Sequence, residues 1–94
     1  MVNHEGTVLN ESFNKGRKFG KIEVHDNEVI FFDEGQQILS MPIQGMKISH
    51  GGTGNRYVYM THPDYPEWTI STDDKKVLNY HSIKHDDERR KSVV

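Results

Sequence analysis

Up to residue 72 the apolar residues come in short groups separated by turn residues, at the regular interval expected of an antiparallel sheet, and helical spacing is absent. Thr7 to Leu9 predicts a weak first strand, followed by a polar loop, Asn10 to Arg17, in which Asn14, Lys15 and Gly16 favour a turn. Between Lys21 and His25, Ile22 and Val24 share one face, and Asp26-Asn27 supplies a tight turn into Val29 to Phe32, the clearest hairpin in the chain. Asp33, Glu34 and Gly35 predict the next turn and Gln37 to Met41 the next strand, with Pro42 marking an edge or a bend. Met46, Ile48 and His50 lead into Gly51, Gly52 and Gly54. Tyr57 to Met60 are four consecutive strand formers, followed by Pro63 and Pro66, and Trp68 and Ile70 resume the alternation toward Thr72.

At Ser71 the pattern changes. Ser71-Thr72-Asp73-Asp74 offers hydroxyl caps and then two carboxylates, the chemistry that satisfies the orphan N–H groups of a first helical turn. A helix is predicted to start near residue 73, with Val77, Leu78, Tyr80, His81 and Ile83 as its apolar stripe and Lys75, Lys76, Asn79 and Lys84 in water. The predicted fold is mainly β: one domain over residues 1–85, six or seven short strands in a small antiparallel barrel or sandwich, closed by a C-terminal helix. This is the plan of a pleckstrin-homology-like barrel. Residues 86–94, DDERRKSVV, are expected to form a charged extension of the helix or a flexible tail.

Composition narrows what such a domain does. A chain of 94 residues buries about 60–65% of its unfolded surface, enough for one core. With 33% hydrophobic residues, nearly every large apolar side chain is needed in that core, which argues against a roomy closed substrate pocket. Twelve basic residues against fourteen acidic ones give a formal charge of -2, so the electrostatic footprint of a nucleic-acid binder is missing and no nucleic-acid partner is expected. There is no Cys to form a disulfide, a thiolate metal site or a thiol nucleophile. The start MVNHEGTVLNE lacks the layout of a signal peptide and no apolar run is long enough to cross a bilayer, so the expected location is the cytoplasm or the cytoplasmic face of a membrane.

Candidate chemistry is thin. Of six histidines, His81 and His85 are the best-placed pair for a metal, being four apart on a predicted helix, with Asp86 or Glu88 as a third ligand. Two imidazoles alone do not make a closed zinc site, and a solvated charged face gives the same spacing. His4-Glu5 is not part of an HExxH. His50 and His62 read as surface hydrogen-bonding groups. Gly51-Gly52-Thr53-Gly54 leads into a strand and not a helix, so it reads as a hairpin loop and not as a phosphate cradle. No serine has a glycine-flanked elbow, and the paired carboxylates Asp33-Glu34, Asp73-Asp74 and Asp86-Asp87 fall in a turn, a helix start and a tail. Lys15, Arg17, Lys18 and Lys21, with Arg56, form the one basic grouping and offer contacts for anionic lipid headgroups or phosphate, although Glu11 and Glu23 dilute the field. Tyr57 and Tyr59 beside Arg56 have the make-up of a stacking platform for bases, against the near-neutral charge.

The run from Gly20 to Leu78, with "GKIEVHDNEVIFF", then "ILSMPIQGMKIS", then "GGTGNRYVYMTHPDYPEWTIST", resembles in layout the small N-terminal domain of bacterial membrane-associated zinc metalloendopeptidases related to the CAAX prenyl proteases. The resemblance implies a non-catalytic accessory module that binds or regulates a neighbouring protein domain of a longer parent chain. Its zinc-binding HExxH and membrane helices would then lie beyond Val94. No matched residue is catalytic, and no cofactor is implied. The expected function is therefore a non-enzymatic binding or regulatory module, with an anionic membrane-surface or phosphate binder, and a weak metal site at His81 and His85, as the alternatives.

Overall fold

The computed structural model describes residues 3–13, 15–80 and 83. Seven antiparallel strands form one sheet: β1 (His4–Leu9), β2 (Arg17–Val24), β3 (Glu28–Asp33), β4 (Gln36–Pro42), β5 (Lys47–Gly51), β6 (Tyr57–Thr61) and β7 (Thr69–Thr72). Their order across the sheet is β4-β3-β2-β1-β7-β6-β5. The predicted strands and turns are all present, yet the sheet is open: β4 and β5 are its two edges and do not pair with each other, so the expected closed barrel is not formed.

The sheet is nonetheless strongly curled. Pro42 and Lys47 belong to opposite edges and are joined only by Ile43 to Met46. Five peptide steps reach at most about 17 Å, whereas six strand spacings would put the edges of a flat sheet about 29 Å apart. The chain therefore brings the edges together at this corner, which buries Ile43 and Met46 and is held by Ile43 N–H to Asn27 C=O (3.0 Å) and Met46 N–H to Ile43 C=O (3.0 Å). One core results, in which Ile22, Phe31, Leu39 and Met41 on one side join Val58, Met60 and Ile70 on the other.

The first strand shows why it read as weak. β1 is the central strand, paired with β2 from His4↔Ile22 to Leu9↔Arg17 and with β7 from Thr7↔Ser71 to Leu9↔Thr69. Its inward positions are His4, Gly6 and Val8, so two of the three lack the apolar side chain from which period two is recognised. Gly6 lies opposite Gly20. A Cβ on Gly20 would fall 2.1 Å from the Phe32 carbonyl oxygen and 2.9 Å from the Phe31 ring, so the glycine lets the Phe31 ring lie against the β2 backbone.

The C-terminal helix is the second correction. After β7 the described chain forms a 3-10 helix at Lys75–Asn79, five residues long. The caps predicted at Ser71 and Thr72 belong to β7; Asp74 is the cap, its side chain accepting from Lys76 N–H at 3.0 Å. Tyr80 ends the helix with extended backbone (φ -66, ψ 136), and its hydroxyl reaches back to His4. The extended backbone at Tyr80 breaks the predicted continuous helix, although Leu78 and Tyr80 pack against the core as its stripe would. Val77 and Ile83 are buried in the core. His81, Lys84, His85 and the segment 86–94 lie outside the described residues.

Candidate functional site

Alternation along β2 decides where the basic residues go. Phe19, Lys21 and Glu23 stand on the outer face opposite the inward Ile22 and Val24, and Arg17 shares their parity, while Lys18 has the opposite one. The five cations predicted as one patch are thus divided. Lys18 lies over the Phe13 ring, its Nζ 4.9 Å from the centroid, and 3.6 Å from Asp33 Oδ2. Lys21 Nζ is 3.2 Å from Glu5 Oε1, and Arg56 Nη2 is 3.4 Å from Asp73 Oδ2. Lys15 is exposed, and neither it nor Arg17 has a carboxylate partner among the described residues. The Arg17 guanidinium stacks on Phe19 at 5.4 Å.

The loop that presents these residues is built on Asn10, which is buried. Asn10 Oδ1 accepts from Ser12 N–H (2.8 Å), Asn10 N–H donates to Gly16 C=O (3.0 Å), and Phe13 N–H donates to Asn10 C=O (3.1 Å). A short polar side chain that turns back on its own backbone is what this tight excursion needs.

An open groove of about 530 Å³ crosses the outer face, lined by Glu5, Thr7, Phe19, Lys21, Tyr57 and Ser71 among others. Its form follows from register: Phe19 pairs with Thr7, Thr7 with Ser71, and Ser71 with Tyr59. Two small hydroxyl residues thus form a floor between aromatic flanks three strands apart, about 14 Å. On the far flank Tyr57 and Tyr59 lie 6.5 Å apart, and Arg56 caps Tyr57 at 5.5 Å. Phe19 is 68% exposed, the one large hydrophobic side chain so exposed among the described residues. Sequence reading missed it because it falls between the polar loop Asn10 to Arg17 and the strand read from Lys21, and belongs to neither. Extending the alternation of Lys21 and Glu23 back by two residues would have placed it outward.

A buried polar network ties the two ends of the described chain together. The His4 side chain is 3% exposed; its Nδ1–H donates to Asp74 Oδ2 (2.7 Å), and its Nε2 is 2.9 Å from the Tyr80 hydroxyl. The hydrogen bond from His4 holds the Asp74 carboxyl below its ordinary pKa, with help from the Lys76 backbone N–H and the nearby charges of His4 and Lys76, against an opposing effect of burial. Thr72 Oγ1 donates to Glu5 C=O (2.7 Å) and accepts from Asp74 N–H (3.0 Å). Tyr–His–Asp is the order of a nucleophile, base and orienting group, but neither surface groove is lined by any of the three. Each polar atom is spent on another, which is the behaviour of a structural clasp.

His62 is also buried, with Nε2 2.8 Å from Gln44 C=O and Nδ1 3.0 Å from Asp64 N–H, so it is a core group and not the surface residue predicted. His50 is exposed on β5. The predicted metal pair, His81 and His85, falls outside the described residues. Among the described residues no three His, Asp or Glu side chains gather as metal ligands, and no helix is long and apolar enough to cross a membrane. Comparison with protein-family models, curated proteins and solved structures finds no match.

Proposed function

We propose that the chain is a non-catalytic binding module that contacts another protein domain through the outer face of β2-β1-β7-β6. The observation that carries this is Phe19, 68% exposed at the rim of a groove whose other flank holds Tyr57. An exposed aromatic flanked by arginine and tyrosine has the composition of an interaction hot spot. The groove is open, and the ion pairs Lys21–Glu5 and Arg56–Asp73 leave it with balanced charge, which suits a protein surface better than a polyanion. The resemblance of residues 20–78 in layout to the accessory domain of membrane metallopeptidases points, as a resemblance, to a partner in the same parent chain.

The test is site-specific photo-crosslinking in cells, with a photoreactive phenylalanine at position 19, at position 59 and, as a control, at Glu34 in the β3–β4 turn. The proposal expects one discrete product from positions 19 and 59 that is absent from 34. Equal yields at all three positions would overturn it.

A second reading is supported by Lys15 and Arg17, the two cations of the predicted set that no described carboxylate neutralises. In that reading the β1–β2 loop meets anionic headgroups or phosphate.

A further inference from the structure

We infer that His62 is a proton-operated latch: its neutral ring pins the β6–β7 loop to the β4–β5 corner, and a proton on Nδ1 releases the Asp64 end of that loop. The partners of the ring fix its state. Gln44 C=O only accepts, so Nε2 carries the hydrogen; Asp64 N–H only donates, so Nδ1 holds a lone pair. One tautomer of neutral imidazole satisfies both. The ring is held there by close packing, for a Cβ on Gly45 would fall 3.1 Å from Nε2, and the Tyr65 ring meets it edge-on at 5.6 Å.

A proton on Nδ1 sets one N–H against another across 3.0 Å. The charged group facing that nitrogen is the Asp64 carboxylate, whose Oδ2 stands 3.9 Å away with a side chain 82% exposed. From the corner the ring meets Gln44 and Gly45, which do not titrate, and from its own loop Tyr65. For the carboxylate to become the acceptor it must close by about 1 Å to reach hydrogen-bond distance, and the Asp64 N–H must turn away. The turn therefore has two arrangements, selected by one proton. His4 is different: with Asp74 as acceptor on Nδ1 and a hydroxyl on Nε2 that donates or accepts, its two bonds suit the neutral and the protonated ring alike.

The change reaches a surface. From His62 the loop runs through two backbone bonds in series, Tyr65 N–H to His62 C=O (2.9 Å) and Trp68 N–H to Tyr65 C=O (3.0 Å). Trp68 packs edge-on against Phe13 of the β1–β2 loop at 5.7 Å. Pro66 and Glu67 of the same loop line a second open groove of about 630 Å³ with Leu9, Asn10, Glu11 and Ser12. Releasing the loop moves one wall of that groove. The inference is independent of the partner proposed for the outer face.

The experiment is a pH titration of the full chain by NMR, following the ring nitrogens of all histidines, the Asp64 amide and the Trp68 indole. At high pH the His62 ring should show the Nε2–H neutral form. On acidification the Asp64 amide and Trp68 indole signals should move with the midpoint of His62, and Asp64 amide protection should fall about five- to tenfold across it, the loss of one hydrogen bond. His62→Asn keeps an acceptor for the Asp64 amide and cannot titrate, so Trp68 should stay at its high-pH position; His62→Gln, which keeps the donor to Gln44, should also lose the step and serves if the Asn variant does not fold. A His62 ring that takes a proton while Asp64 and Trp68 stay still would overturn the latch. So would a Trp68 step that follows another histidine, or a ring that stays neutral down to acid unfolding.

Discussion

Removing the hydroxyl of Tyr80 is the sharpest test of how the ends of the described chain are held. Tyr80→Phe leaves the ring volume in place and takes away the partner of His4 Nε2, 2.9 Å distant, on a side chain that is 3% exposed. Water has little access to the orphaned nitrogen, so the cost is that of an unsatisfied buried polar group, about 1–3 kcal/mol. For a domain whose total stability is about 5–15 kcal/mol, that is a large share. Asp74→Ala removes the acceptor for His4 Nδ1–H and the cap on Lys76 N–H. The cap alone is worth about 0.5–2 kcal/mol. Because the Asp74 side chain is one-third exposed, solvent reaches the vacated site and the total should stay near the lower half of the summed range. The two substitutions act on one imidazole, and once either bond is gone the ring is free to turn, so the double variant should lose less than the sum by at least about 0.5 kcal/mol. Urea unfolding at neutral pH, followed by Trp68 fluorescence and far-UV circular dichroism, measures all three; with a slope near 1–1.5 kcal/mol per molar, Tyr80→Phe should lower the midpoint by about 0.7–3 M. A Tyr80→Phe protein within 0.5 kcal/mol of the parent, or additive costs, would refute the clasp.

Other outcomes follow from the same geometry. Gly20→Ala should destabilise by about 1–3 kcal/mol or more, because the new Cβ meets a backbone oxygen at 2.1 Å; Gly6→Ala, which meets the terminal Ile22 Cδ1 at 2.3 Å and a backbone oxygen, that of Ser71, only at 2.9 Å, should cost less, and the order of the two urea midpoints checks this. Asp74 is the carboxyl held below its ordinary value, so its contribution to stability is complete above about pH 4 and is lost as pH falls through the lower folded value; Asp74→Asn should flatten that part of the stability–pH curve. Phe19→Ser should change stability by less than about 0.5 kcal/mol while abolishing the discrete crosslink formed from position 59. Vesicles carrying anionic lipid should bind the chain at low salt, release it at high salt and fail to bind a Lys15→Ala/Arg17→Ala variant if the β1–β2 loop is a headgroup site; an absence of binding at low salt ends that reading.

Much of the sheet was legible because Ile22 and Val24 alternate with polar residues in β2, and β3, β4 and β6 carry short apolar groups (Val29 to Phe32, Ile38 to Met41, Tyr57 to Met60) bounded by turn residues, which read as strands. Two things were not. Closure depends on whether β4 and β5 find each other across the curled sheet, and nothing in the local pattern of either edge encodes that. The helix after β7 was predicted from caps and an apolar stripe, and Ser71 and Thr72 offer the same hydroxyls whether they begin a helix or end a strand; their pairing with Thr7, Tyr59 and Val58, distant in sequence, places them in the strand. The groove was half legible: Tyr57, Tyr59, Arg56 and Lys21 stood out, but Thr7, Ser71 and Phe19 join them only through the register of three strands.

The histidines show where pattern stops and partners begin. His4 and His62 each fall at an inward position of a strand or its continuation, and neither neighbouring sequence tells them apart. What separates them is the character of the atom facing each ring nitrogen. A carboxylate, which accepts, and a hydroxyl, which donates or accepts, face His4, so that ring keeps its two bonds whatever its charge. A carbonyl and an amide face His62, one fixed acceptor and one fixed donor, so that ring keeps both bonds in a single state. The first arrangement fits a permanent clasp and the second a release, and exchanging the fixed donor for a group able both to donate and to accept would turn the second into the first.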